Sequence, residues 1–302
     1  MGQTTVVDVS DLSRSFGGKR ALDGVSFRAT AGQVHGLVGA NGAGKTTLLK
    51  HLLGLLRAAT GSVRVFGLDP VRDPVGVLGR VGYLSEERDL PEWMRIDELM
   101  AYTQAFHPTW DASYARELIE TFGLDPSKKI KELSKGMRAQ AGLVAAVAHR
   151  PELLILDEPS SGLDAVVRRD ILDAIVRTVV DDGRTVIFSS HLLEEVERMS
   201  DHVTMLHGGR VTLSGALDDV RHSYQRSRLH FARHFDQAPV LAGALAMEGG
   251  GRTWSVVHSG SLERFHHSVL ALGGEVVESR DATLEEIFLA RAGRTRQPVE
   301  AA

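Results

Sequence analysis

The chain has 302 residues, enough for more than one domain, and its 43% hydrophobic and 25% charged residues are those of a globular protein, not a fibrous or disordered one. A net charge of −4 supplies no general attraction to nucleic acid or an anionic bilayer, and the lack of cysteine excludes disulfides, thiolate metal sites and a thiol nucleophile. The longest apolar stretch, Ala238 to Met247, falls far short of the about 20 residues that span a bilayer.

The start, Met1-Gly2-Gln3-Thr4-Thr5-Val6, lacks the basic start and apolar core of a secretion signal. Val6 stands where myristoylation needs Ser or Thr, so a cytoplasmic location is expected. From Thr5 to Ala29 apolar residues alternate around a turn at Gly17-Gly18, the pattern of antiparallel strands with one covered face. Phe16, just before that turn, reads equally as a core residue or as a platform for an aromatic ligand.

Val34 to Val38 is an apolar strand, Thr47 to Leu56 a helix, and Gly39-Ala40-Asn41-Gly42-Ala43-Gly44-Lys45-Thr46 lies between them. Every required position of the phosphate-loop pattern G-x-x-x-x-G-K-[ST] is met. Glycines let the turn curl so that the backbone N–H groups of residues 39–47, including Asn41, Gly42, Ala43, Gly44 and Thr47, point at an anion. The helix start adds its positive dipole end. Lys45 suits the β- and γ-phosphates of a nucleotide, and the Thr46 hydroxyl suits Mg²⁺.

Ser62 to Phe66 and Val81 to Ser85 read as strands, the second leading to Glu86-Glu87-Arg88-Asp89. Residues 88–150 then change to helical spacing, punctuated by Pro91, Pro108, Gly123 and Pro126. Leu153 to Leu156, ending in Asp157-Glu158, and Thr185 to Ser190, ending at His191, look like strands buried on both faces, with a helix from Ala165 to Val180 between them. Such strands separated by helices argue for a parallel sheet whose C-terminal ends carry the ligand. Near Tyr224 the pattern resets into three strands and two helices, a small separate α+β domain over residues 225–302 with a frayed tail from Arg294.

Leu133-Ser134-Lys135-Gly136-Met137 precedes the Asp157-Glu158 strand, Ser161-Gly162-Leu163-Asp164 follows Pro159, and the lone His191 ends the next strand. With the phosphate loop, this ordered set resembles the ATP-binding subunits of ABC transporters over residues 5 to 224. The closer likeness is to bacterial subunits whose membrane-spanning partner is a separate polypeptide, carried by Phe106-His107-Pro108-Thr109-Trp110-Asp111 and by Lys135-Gly136-Met137. Ala282-Thr283-Leu284-Glu285-Glu286-Ile287-Phe288-Leu289 is similar to the C-terminal extension of many of them.

The resemblance implies an α/β phosphate-loop NTPase fold over residues 1–224, with an antiparallel subdomain, a parallel-sheet core and a helical subdomain at 88–150. It implies ATP and Mg²⁺ as ligands, with Asp157, Thr46 and Glu86 on the metal, Glu158 polarising the attacking water, and His191 at the γ-phosphate. It makes Phe16 the adenine platform. Ser134 and Gly136 would meet the γ-phosphate bound by an opposite subunit, and Asp164 would couple the two. The implied partners are a second ATP-binding subunit, identical or related, and a transmembrane permease holding the chain at the inner face of the membrane.

Two positions depart from the family pattern. Glu86 stands where Gln is usual and adds negative charge beside the triphosphate. Met137 replaces a Gln and cannot make its side-chain hydrogen bonds. The expected function is ATP hydrolysis powering transport, with export the expected direction. A soluble ATPase acting on nucleic acid or ribosomes is the alternative, against which stand the single ATPase unit and the mildly acidic balance. His266-His267 reads as surface, His202 and His207 lack metal spacing, and Asp181-Asp182-Gly183 reads as a turn.

Overall fold

The computed structural model describes residues 4–293, the side chains of 177–182 excepted. The frayed tail expected from Arg294 lies outside that range. The chain divides into a first unit ending at Leu213 and a second beginning at Ser214. The boundary expected at 224/225 thus falls inside the second unit, because a helix over Leu217–Ser223, unforeseen in the sequence, packs on the strand that follows it.

In the first unit, β1 (Thr5–Phe16) and β2 (Lys19–Thr30) form a hairpin over Gly17 and Gly18, both left-handed with φ of 52° and 82°. β3 (Val34–Val38) and α1 (Lys45–Leu52) follow, and β4 (Thr60–Val65) returns to pair with β1, so the antiparallel sheet runs β2-β1-β4. α2 (Pro74–Leu78), capped by Asp73, leads to β5 (Val81–Leu84). Then come α3 (Ile96–Gln104), α4 (Ala112–Thr121), a 3₁₀ turn at Ile130–Glu132 and α5 (Lys135–Val147), the expected helical insertion.

β6 (Leu153–Asp157), α6 (Ala165–Asp182), β7 (Thr185–Ser190), α7 (Leu193–Met199), β8 (His202–His207) and β9 (Arg210–Ala216) complete the second sheet, ordered β5-β6-β7-β3-β8-β9. Its first five strands run parallel. α6 is longer than expected, so Asp181-Asp182 close the helix and the turn begins at Gly183, with φ 62°. Every residue of β3, β6 and β7 is buried, as continuous apolar runs require. The core forms where Val7, Leu12 and Leu22 of the antiparallel sheet meet Leu37, Leu48, Ile155 and Ile187.

The second unit has α8 (Leu217–Ser223) and β10 (Tyr224–Phe235), with β11 (Ala244–Ser259) and β12 (Gly274–Asp281) paired antiparallel on its two sides. α9 (Leu262–Ala271) and α10 (Leu284–Gly293) complete it, around a core of its own that includes Phe231, Trp254, Val256 and Phe265.

His35, His149 and His258 are each at most 3% exposed, and burial holds each imidazole down at about 4, below its ordinary 6.5. Between those values the unfolded chain binds protons that the folded chain refuses, so stability present above about pH 6.5 is lost as pH falls toward 4. Each histidine contributes up to about 1.4 kcal/mol per pH unit in that window. The urea midpoint is expected to drop between pH 7 and pH 5, and a constant midpoint would show these rings already charged in the fold.

Candidate functional site

Register brings four chain segments to one edge of the parallel sheet. Val38 pairs with Ser190, Leu84 with Leu156, and Asp157 with Ser189. The segments leaving β3, β5, β6 and β7 carry the glycine loop, Glu86, Glu158 and His191. A cleft of about 460 Å³ opens there, lined by Phe16, Lys19, Ala21, residues 40–47, Glu86 and Glu158.

Glycine is required at Gly44, which caps α1 with φ 110° and where a Cβ would lie 2.6 Å from the Ala21 carbonyl. No side chain caps α1 and its first turn has no acidic residue, so its free N–H groups and dipole are uncompensated. At Gly39 a Cβ would press on the Leu206 carbonyl and on Ala43.

Lys45 is 6% exposed; its Nζ donates to the Gly39 carbonyl at 2.6 Å and lies 2.9 Å from Glu158 Oε1. The other Glu158 oxygen is 2.6 Å from His191 Nδ1. Glu158 has a left-handed backbone, φ 49°, a strain of about 1–3 kcal/mol that persists only where the surroundings impose it. Ser189 is part of that constraint: its hydroxyl donates to Asp157 Oδ1 at 2.6 Å and accepts from the Glu158 N–H at 2.9 Å.

Phe16 is 45% exposed at the cleft mouth with the Arg14 guanidinium 4.9 Å from its ring centroid, so the core reading of this residue is wrong. Asn41, Gly42, Ala43, Thr46, Thr47 and Glu86 line the cleft, whereas Asp157, 1% exposed, lies beneath its surface. Thr46, Glu86 and Asp157 offer oxygen donors only, the set a hard divalent cation takes.

Ser134, Gly136 and Asp164 do not line this cleft. Ser134 Oγ caps α5 by accepting from the Met137 N–H at 3.2 Å. Asp164 caps α6, accepting from Val166 and Val167 N–H at 3.0 Å each. A Cβ on Gly136 would lie 3.0 Å from Val167, so the two helix starts pack together on a patch of their own.

Sequence reasoning missed Ser189 and also Glu195, which is 7% exposed and accepts from Ser160 Oγ at 2.7 Å and Ser190 Oγ at 3.1 Å. Glu195 thereby ties the turn after Glu158 to the strand end before His191. The doublet Ser189-Ser190 directly before His191 was the available signal. Lys19 and Ala21, brought to the cleft by the first hairpin, gave none.

A glycine loop closing a helix start against a carboxylate at the C-terminal edge of a parallel sheet defines a phosphate-loop nucleoside triphosphatase. A family model described as ABC transporter matches residues 22–161. The chain is 33% identical over 314 residues to the daunorubicin resistance ATP-binding protein DrrA3 of Streptomyces coeruleorubidus, covering 99% of each. It is 28% identical over 292 residues to the ABC transporter ATP-binding protein YtrB of Bacillus subtilis, covering 97% of this chain and 100% of that one. A solved ATP-binding subunit of an ABC transporter superposes with TM-score 0.67 at 31% identity, covering 72% of this chain and 92% of that one. The fold is shared with the cassette MJ0796 bound to ADP and Pi, TM-score 0.62 at 19% identity over 70% of this chain and 98% of that one.

This chain belongs to the ATP-binding proteins of ABC transporters. It is an ATPase that binds adenine nucleotide and powers transport. No helix among the described residues is long and apolar enough to cross a membrane.

Proposed function

We propose that two ATP-binding subunits, this chain and a second copy or a close relative, close over two ATP molecules and drive a separate membrane-spanning permease at the inner face of the membrane. The observation that carries the reading is Glu158, buried and strained in the cleft wall between Lys45 and His191. A carboxylate so held accepts a proton from an attacking water without moving. His191, with 41% of its side chain exposed, orients that water and meets the γ-phosphate. Lys45 and the N–H groups of residues 39–47 hold the phosphates, and Phe16 stacks on the adenine.

Thr46, Glu86 and Asp157 would hold Mg²⁺, which would supply positive charge to offset that of the phosphate oxygens. Ser134 and Gly136 close the partner's nucleotide with the start of α5, and Asp164 couples the two halves. That these three line no part of their own cleft supports a role in the opposite one.

A second groove, about 530 Å³, runs between the segment after β5 and the helical insertion and is lined by Val75, Leu90, Tyr102 and Phe106. Tyr102 and Phe106 are 52% and 64% exposed, which suits docking of an apolar permease segment. The end-to-end likeness to a daunorubicin resistance protein supports export as the direction. No observation favours a ribosomal or nucleic-acid role. Light scattering tests closure: the Glu158→Gln chain is expected to shift from monomer to dimer on adding ATP. Monomer alone at saturating ATP would overturn closure between copies of this chain.

A further inference from the structure

Arg88 is the least expected buried cation of the first unit. It is 5% exposed, its backbone is left-handed at φ 52°, and its N–H donates to Ser85 Oγ at 3.1 Å. Its Nη2 donates to the carbonyls of Pro159 and Ser161 at 3.1 and 3.0 Å. That turn begins at Glu158 itself, whose carbonyl accepts from the Ser161 N–H at 3.1 Å. Nε and Nη1 are buried with no hydrogen-bond partner among the described residues. Burial disfavours the charged guanidinium, and the Glu86 carboxylate opposes that effect.

An arginine that strains its own backbone and leaves donors unsatisfied does not serve stability as well as an apolar residue of that size. What it does supply is a link. One end belongs to the segment carrying Glu86 into the cleft, and the other grips the turn that fixes Glu158. We propose that Arg88 is a positioning residue for ATP hydrolysis, tying the Glu86 segment to the Glu158 turn. It rests on the assignment of Glu158 above. Displacement of the 86–95 segment is passed to Glu158 through this guanidinium.

The test is a double-mutant cycle read by kcat, by ATP affinity without metal, and by thermal midpoint. Arg88→Met is expected to lower kcat about tenfold or more with ATP affinity within about twofold, because no phosphate contact is lost. In a chain already carrying Glu158→Gln the same change is expected to lower the residual kcat about threefold or less, because the group it positions is already gone. Arg88→Lys keeps the charge but not the two-carbonyl grip, and should lose about threefold with the melting point held, a comparison that stands even if Arg88→Met fails to fold.

Unchanged kcat in both single variants, an equal loss in the two backgrounds, or a parallel fall in ATP affinity would overturn the assignment. If Glu158→Gln still abolishes turnover in the parent chain, the failure belongs to Arg88 alone. If Glu158→Gln turns over normally, it is the site reading that fails.

Discussion

Replacing Glu158 with glutamine is expected to lower ATP turnover by about 10²–10⁴-fold while nucleotide binding survives. Glutamine keeps the shape of the side chain and an oxygen that can accept from Lys45, which sits 2.9 Å away. It removes the basic lone pair that the proposed mechanism uses to take a proton from water, and it takes a negative charge away from the proposed triphosphate site. Affinity for ATP should therefore hold or rise. Single-turnover phosphate release and a nucleotide titration on the same preparation separate the two effects. Hydrolysis within about twofold of the parent would remove Glu158 from the base role, and His191, 2.6 Å from it, would be the next group to test.

Lys45→Ala is expected to weaken ATP binding by about 10–100-fold, the loss of a charge-assisted contact worth about 1.5–3 kcal/mol. A second consequence follows from burial. Lys45 and Glu158 side chains are 6% and 4% exposed, so the substitution leaves a buried carboxylate without its cation. Breaking such a pair costs about 3–5 kcal/mol, enough to lower the melting temperature by many degrees. Adding Glu158→Gln to Lys45→Ala should return most of the stability and none of the binding. Full ATP affinity in the single variant would dismiss the phosphate role; a melting curve unmoved by it would mean that the ion pair contributes nothing to the fold.

The elements most legible in the sequence were those whose pattern is local. The glycine loop, the apolar runs ending in Asp157-Glu158 and at His191, and the alternation from Thr5 to Ala29 all emerged as read. Short helices did not: α2, α7 and α8 have 5, 7 and 7 residues, too few for a helical period to show. The end of α6 was missed because Asp181-Asp182-Gly183 has turn composition, whereas the helix continues to Asp182 before the glycine breaks it. The domain boundary slipped for a related reason, since α8 has no signal strong enough to assign it to the strand it packs on.

By itself the sequence determined the chemistry on offer: a glycine-rich loop, a cation, hard oxygen donors, a second carboxylate and a histidine, each ordered along the chain at the end of an element. Only the tertiary structure decided which of them meet. Parallel register brings Asp157 level with Ser189 and Val38 level with Ser190, and so sets Lys45 and His191 on the two oxygens of Glu158. It also decided that Phe16 faces the cleft and that Arg88 is buried, because exposure depends on what a distant segment covers, and no local pattern encodes that.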